Sequence, residues 1–259
     1  MQVKDLTSVI ENYAPLSLQE SYDNAGLICG SPDNEISSVL LCTDVTEAVI
    51  EEAIAGNFNL IISHHPLSIQ PLKNLLPDNW IKRCLIRAVK NDLNIYAAHT
   101  NMDAVLNGVS GKIADKLELT NREILEKNTD PATGFGIVGE LEQPVDSREF
   151  LERIKTIFHC GAIRHSSLCK PQVKRIAVCG GSGAFLIRKA IQAEADLYVT
   201  GDIKYHDFFN TENRIILADI GHYESEQYTK EIFYELVTKK ISKFAVQFSK
   251  VNTNPINYL

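Results

Sequence analysis

The residues best suited to chemistry in this chain are the adjacent pair His64 and His65, which follows the apolar run LIIS at residues 60–63. A strand that stops in two histidines places two imidazoles at the carboxyl edge of a parallel sheet, where such folds bind ligands. Imidazole is also the commonest protein ligand for transition metals. The pair therefore indicates a metal site if further ligands reach the same edge.

Other chemically capable side chains occur at the same kind of place, directly after an apolar run. They are Asp44 after VLLCT, His99 after IYAA with Asp103 four residues later, and His222 after IILADIG with Glu226 four residues later. Positions i and i+4 of a helix share a face, so His222 and Glu226 could hold one ion from two sides. In a doubly wound sheet the strand ends share one edge, so these distant segments are expected to converge.

Nitrogen and carboxylate ligands without cysteine suit Zn²⁺, Mn²⁺, Fe²⁺ or Co²⁺. Two or three imidazoles with two carboxylates exceed what one ion needs, which favours two divalent ions about 3.5 to 4 Å apart with a bridging carboxylate or hydroxide. The alternative stays open, because a His-His pair before proline is more often a loop feature and a histidine four residues before a glutamate is usually a solvated helix face. Three such segments together favour the metal site.

Short apolar runs alternate with helical periodicity, which indicates an α/β fold with mostly parallel sheets. The predicted strands are SVLLCTD (38–44), LIIS (60–63), NIYAAH (94–99), GFGIVGEL (134–141), VKRIAVCGG (173–181), LYVTGD (197–202), RIILADI (214–220) and an edge strand FAVQFSKV (244–251). The predicted helices cover residues 46–56, 80–89, 150–158, 184–193 and about 224–241, with others around 6–13 and 109–117.

The polar stretch at residues 120–133 is the best internal boundary. We predict two α/β lobes around a central metal-containing cleft, with residues 1–127 and 214–259 forming the metal-site lobe and residues 128–213 the second lobe.

Composition narrows the function further. The 33 acidic and 26 basic residues give a net charge of −7, which argues against capture of nucleic acid or of an anionic membrane. Six cysteines without CxxC spacing indicate a reducing compartment, and neither a signal peptide nor a membrane-spanning run is apparent. We therefore expect a cytoplasmic protein.

Six motifs carry a family resemblance. In chain order they are YDNAGLICG, CTDVT, SHHPL, AAHTNMD, TGDIKYHD and DIGHYESEQ. Together they resemble the NIF3-like proteins, also called the DUF34 family or GTP cyclohydrolase 1 type 2 homologs, in the short form without the domain that many relatives insert between the halves. Tyr22 stands where many relatives have Trp.

The resemblance implies a dinuclear metal site in a two-lobed α/β fold and a ring-shaped homohexamer. By motif, His65 and Asp103 would bind the first metal, His64 and His222 the second, and Glu226 would bridge both. A contact to substrate or an indirect role suits His99.

Other polar groups have two interpretations each. Asp202, His206 and Asp207 could line the cavity and act on substrate protons, or Asp202 could cap a helix beside a surface histidine. The glycines of CGGSGAF (179–185) could hold a phosphate, although a tight structural turn is favoured. For Asp23, Asn24 and Asp44 a role in organising loops around the site is favoured over a catalytic one.

The leading hypothesis is a metal-dependent hydrolase in which a metal-bridging hydroxide attacks an electrophilic carbon or phosphorus. In the cyclohydrolase version that the family naming suggests, the target is C8 of the guanine ring of GTP, and His99 or His206 would shuttle protons. The alternatives are a non-catalytic metal-binding scaffold or regulatory protein, and a phosphoesterase acting on nucleotides.

Overall fold

The computed structural model describes residues 1–240 and 245–259, and these residues form two compact units. The first unit comprises Met1–Met102 with Thr229–Pro255, and the second comprises Asp103–Tyr228 with Ile256–Leu259. In the described residues no helix is both long and apolar enough to cross a bilayer.

The described chain has eleven strands and nine α-helices. The strands are β1 Gly26–Cys29, β2 Ser38–Cys42, β3 Leu60–Ser63, β4 Asn94–Ala97, β5 Thr120–Lys127, β6 Gly134–Asp146, β7 Arg164–His165, β8 Gln172–Ser182, β9 Leu197–Gly201, β10 Ile216–Asp219 and β11 Ala245–Phe248. The helices are α1 Val3–Tyr13, α2 Glu47–Ala55, α3 Trp80–Lys90, α4 Thr100–Asp103, α5 Val109–Lys116, α6 Ser147–Ile157, α7 Ile187–Gln192, α8 His222–Glu226 and α9 Thr229–Lys240. Short 3₁₀ segments cover Leu16–Leu18, Ala184–Leu186 and Tyr205–Thr211.

The first unit is built on a five-stranded sheet in the order β1-β4-β3-β2-β11. All neighbouring strands are parallel except β1, which pairs antiparallel with β4. Every residue of β2, β3 and β4 is buried, as expected for central parallel strands covered on both faces. The strand β11 lies at the edge, as predicted, while Phe244 at the start of the predicted segment lies outside the described residues.

Local signals set the ends of the helices that cover this sheet. The Thr46 side chain accepts a hydrogen bond of 3.3 Å from the Val49 amide and so caps α2, which ends before Gly56. Asn79 caps α3 in the same way through the Lys82 amide at 3.0 Å. Such caps satisfy amides that the first helical turn leaves free.

The second unit contains a mixed six-stranded sheet in the order β5-β6-β8-β9-β10-β7. Its centre, β8-β9-β10, is parallel, and the outer pairings are antiparallel. Side chains alternate between the faces, because Ile176 and Val178 of β8 join the core with α6, whereas Ala177 and Cys179 join the core with α7. Helices on both faces therefore bury the sheet, and the predicted mixed α/β class with mostly parallel strands is confirmed.

Three features differ from the expected element pattern. The predicted boundary stretch at 120–133 begins with the strand β5, whose exposed polar residues face away from the core. Where one helix is predicted at 224–241 there are two, α8 and α9, and the side chains of Gln227 and Tyr228 between them donate to the Phe158 and Ile157 carbonyls. Ile241, the predicted end, lies outside the described residues.

The third difference concerns β10, which the sequence groups with the first lobe. It pairs in parallel with β9 in the second unit. The sequence does not predict this pairing, because a run of buried residues does not itself specify its sheet. The lobes 1–127 with 214–259 and 128–213 stay a prediction as domain boundaries.

Candidate metal centre

Three histidines of the first unit lie together at the carboxyl edge of its sheet. His64 and His65 directly follow β3, and His99 follows the neighbouring parallel strand β4. The ring centroids of His64 and His65 lie 4.8 Å apart, and each lies 5.3 Å from that of His99. Each offers one ring nitrogen, and these three atoms lie within 4.8 Å of one another. The predicted convergence of these two strand ends is confirmed.

Each of these rings has its Nδ1 atom held by an oxygen. His64 Nδ1 lies 2.9 Å from the Ala98 carbonyl, His65 Nδ1 lies 2.7 Å from Asp44 Oδ1, and His99 Nδ1 lies 2.8 Å from Asp23 Oδ1. A neutral imidazole that donates its Nδ1 proton carries its lone pair on Nε2. Metal-binding histidines are usually held in this way, with the other ring nitrogen facing the metal.

The two aspartates organise the surrounding loops, which confirms the favoured interpretation of their role. Asp44 accepts a second hydrogen bond from the Thr253 hydroxyl at 2.7 Å. Asp23 accepts from the Thr100 amide at 3.1 Å and from the Thr100 hydroxyl. Burial favours a raised pKa for Asp23, but the hydrogen bonds from His99 and Thr100 hold this pKa well below its usual range.

Replacing Asp44 by Ala is expected to weaken metal binding by about 10- to 100-fold, because the His65 ring would lose the acceptor that fixes its orientation. Competition titration against a chromophoric chelator measures this loss. Asp44→Asn is the matched control, since its amide oxygen still accepts the His65 proton, and it should bind metal more tightly than Asp44→Ala. Equal affinities of the two variants would contradict the positioning role.

The second unit carries a histidine and a glutamate on α8. His222 Nε2 lies 3.1 Å from Glu226 Oε2, and His222 Nδ1 lies 2.7 Å from Asp202 Oδ2. The Glu226 side chain is only 4% exposed. Burial acts to lower the pKa of His222, but the hydrogen bonds to Asp202 and Glu226 outweigh it and raise this pKa to about 11. The two carboxylates beside the ring therefore favour a positive charge at this position.

A glycine turn allows α8 to approach β8 closely. Gly181 has a φ of +61°, and a Cβ atom there would lie 2.2 Å from Glu226 Oε1 and 3.3 Å from His222 Cε1. The Gly181 amide donates to Ser225 Oγ at 2.9 Å, and the Gly180 amide donates to Ser110 Oγ at 3.3 Å. These amides are thus occupied within the protein, which favours the structural turn over a phosphate loop. The sequence does not predict that Gly181 leaves room for the Glu226 side chain.

The other residues of the second unit that the sequence suggests for the site lie at different places and have different roles. Asp202, at a φ of +56°, bonds His222, so it acts on the ring and does not cap a helix. Asp207 accepts from the Lys204 amide at 3.0 Å and caps the 3₁₀ segment Tyr205–Thr211. His206 is exposed and packs against the rings of Tyr205 and Phe209. Asp103 is the last residue of α4 and is partly buried.

The donor set fits a divalent transition metal. Imidazole nitrogens with oriented lone pairs and a buried carboxylate are ligands for Zn²⁺, Mn²⁺, Fe²⁺ or Co²⁺, and the six cysteines of the sequence are free thiols with no part in these groups. The histidine and glutamate groups could therefore bind a metal ion. Fold and side chains together define a class, namely an α/β protein with histidine and carboxylate groups that could bind a metal ion at the carboxyl ends of its strands.

Known proteins are similar to this chain in fold and in sequence. A family model described as Duf34/NIF3 (NGG1p interacting factor 3) matches residues 1–255. A Clostridium acetobutylicum protein named GTP cyclohydrolase 1 type 2 homolog is 34% identical over 229 residues, covering 87% of this chain and 85% of that protein. The chain belongs to the DUF34/NIF3 family.

Solved structures agree with this assignment. The crystal structure of a Staphylococcus aureus protein has a TM-score of 0.91 and 28% identity, covering 100% of this chain and 99% of that one. A crystal structure of a Bacillus cereus protein related to NIF3 has a TM-score of 0.92 with the same coverage at 23% identity, and it supports the fold alone.

Proposed function

We propose that this protein binds two divalent metal ions and uses them as a hydrolase. The proposed ligands are His65 and Asp103 for the first ion, His64 and His222 for the second, and Glu226 for both. The single observation that carries the proposal is the fixed orientation of four histidines, each of which has its Nδ1 atom bonded to an oxygen, so that Nε2 would be the ligand atom.

When bound, the two ions would lower the pKa of a water and make it a nucleophile at neutral pH. The residues supply the remaining functions. His64, His65 and His222 would fix the ions, while Asp44 and Asp202 would hold the rings in place. The Asp23 carboxylate fixes the His99 ring through Nδ1, and Nε2 would be the atom that transfers a proton to or from a substrate.

The name of the Clostridium relative supports a nucleotide as the substrate, with hydrolysis at C8 of the guanine ring of GTP as the first reaction to test. His206 is the second candidate for proton transfer. The proposal includes assembly of the chain into a homohexameric ring, which the family resemblance supports. It also includes a cytoplasmic location, which the cysteine pattern supports.

The test combines metal content with turnover. The protein is purified under metal-replete conditions, its ions are counted by elemental mass spectrometry, and GTP and other nucleotides are screened for hydrolysis. We expect about two ions per chain in the wild type and about one in His65→Ala. Turnover of the variant should fall by about 100-fold or more, because one of the two ions that would activate the water is lost.

The matched control is His159→Asn, which changes an exposed histidine outside the metal-ligand groups and keeps a residue that tolerates the φ of +53° at this position. It should retain both ions and full turnover. Turnover unaffected by His65→Ala would refute the dinuclear mechanism, and a metal-replete protein without any bound ion would refute the whole proposal. Two bound ions with no hydrolysis of any nucleotide would instead favour the scaffold.

A further inference from the structure

A groove in the second unit lies outside the metal-ligand groups and surrounds the turn at residues 211–214. Three cavities of about 420, 180 and 580 Å³ border this turn, and each includes two or more of its residues. The largest two have volumes typical of small-molecule sites. The turn thus borders all three cavities, and the groove is defined as these three cavities around it.

The turn has an unusual backbone. Glu212 and Asn213 have φ values of +50° and +54°, and the Arg214 amide donates to the Thr211 carbonyl at 2.8 Å. Two successive left-handed residues closed by this bond form a type I′ turn, which normally selects glycine, asparagine or aspartate. A glutamate adopts this conformation only at a conformational cost, and Glu212 lines two of the three cavities. Such strain persists where the surrounding structure fixes it, often at binding sites.

One side of the groove is aromatic. Tyr205 and Phe209 line the 420 Å³ cavity and are 71% and 65% exposed, with ring centroids 5.5 Å apart. Phe208 and the segment Ser166–Ser167 complete this cavity. Exposed aromatic rings beside hydroxyl and carboxylate groups are suited to stacking a planar heterocycle, because every nucleobase offers a π-face and polar edges.

The other side of the groove is basic. Arg188 and Arg214 line the 180 Å³ cavity and are exposed, and neither forms an ion pair with any residue in 1–240 or 245–259. Lys170 and Arg214 border the third cavity together with Glu194, and Lys170 pairs with Asp196 at 3.8 Å. Guanidinium groups without a carboxylate partner can bind a phosphate in a bidentate manner. The aromatic and basic sides meet at Glu212, which borders both cavities.

We propose that this groove binds a mononucleotide, with the base against Tyr205 and Phe209 and the phosphate on Arg188 and Arg214. The carboxylate of Glu212 and the amide of Asn213 lie on the same wall and would read the polar edge of the base. A carboxylate accepts two hydrogen bonds from adjacent N–H donors, so guanine is preferred over adenine. This inference goes beyond the proposed function, because binding in the groove requires no metal.

The groove is nevertheless connected to the metal ligands through the chain. Asp202, which bonds His222, precedes Tyr205 by three residues, so their Cα atoms are at most about 11 Å apart. A nucleotide in the groove would therefore be held in the same unit as α8 and close to the residue that orients His222.

The test measures binding to the full chain in a chelator, so that metal chemistry is excluded. GMP, AMP, guanosine and ribose 5-phosphate are titrated by calorimetry and by ligand-observed NMR. We expect saturable binding of GMP, weaker binding of AMP, and binding of guanosine or ribose 5-phosphate that is weaker than GMP by about 10-fold or more, because each lacks half of the contacts. Glu212→Gln should reduce the preference for GMP over AMP.

Phe209→Ala is expected to weaken GMP binding by about 5- to 100-fold, the range for one stacked base, and Arg214→Gln by a similar factor. The controls are Phe185→Ala, an aromatic ring that is 59% exposed, and Arg148→Gln, an exposed arginine, neither of which lines the groove. Both controls should bind GMP like the wild type.

Absence of saturable GMP binding, or equal binding by Phe209→Ala and Arg214→Gln, would overturn the proposal. Self-association that Phe209→Ala abolishes, without nucleotide binding, would assign the aromatic side to a second copy instead and would also overturn it. Failure of the nucleotide proposal would not change the number of bound metal ions. A chain that binds GMP but no metal would refute the proposed hydrolase and support the nucleotide proposal.

Discussion

Glu226→Gln is expected to lower the affinity for divalent metal by at least about 100-fold and to leave less than one ion per chain after dialysis. Loss of a group that only supports a ligand already costs about 10- to 100-fold, and Glu226 is proposed as a ligand to both ions. The substitution preserves size and shape but removes the negative charge that a bridging ligand provides. Elemental analysis and a chelator competition titration measure the two effects.

A structural interpretation of Glu226 predicts a different result. The buried Glu226 pairs with His222, whose pKa is raised to about 11, so the charge on Glu226 also stabilises the protonated ring. Glu224→Gln is the matched control, because Glu224 is a buried glutamate on the same helix and is no proposed ligand. Retention of two ions by Glu226→Gln, or equal loss in Glu224→Gln, would contradict its role as a bridge.

The first unit shows how far the sequence can predict a site. His64, His65 and His99 each follow a short, wholly apolar strand, and neighbouring parallel strands end at the same sheet edge. Their convergence could therefore be predicted from pattern and topology alone. The roles of Asp23 and Asp44 could be narrowed to loop organisation, but their individual histidine partners depend on loop paths that side-chain type does not specify.

The second unit shows where sequence reasoning stops. The pair His222 and Glu226 was visible from its spacing, yet the helix carrying it ends after Glu226, where Gln227 and Tyr228 bond distant carbonyls. A periodic apolar pattern continues through this break, so it predicts one helix. The sheet that holds β10 was likewise undetermined, because any buried strand presents the same apolar run. These features depend on tertiary contacts and not on local propensity.

The glycine turn is the clearest such case, and it leads to the prediction with the second large effect. Gly181→Ala is expected to lower the free energy of unfolding of the metal-free protein by about 2 to 4 kcal/mol, from a left-handed backbone and a buried clash. Its Cβ atom would lie 2.2 Å from Glu226 Oε1, so the carboxylate must move. Metal affinity should fall with it, because the ligand atom is displaced.

A double-mutant cycle separates the two costs of Gly181→Ala. In a Glu226→Ala background the clash with the carboxylate is absent. The φ of +61°, at about 1 to 2 kcal/mol, and the milder approach to His222 Cε1 at 3.3 Å remain. Denaturant unfolding of the four proteins in chelator should therefore give a smaller loss from Gly181→Ala in that background. Equal losses in both backgrounds would mean that Gly181 serves only its backbone conformation. A smaller loss would show that the turn in β8 is shaped to receive Glu226, which makes the glycine part of the site.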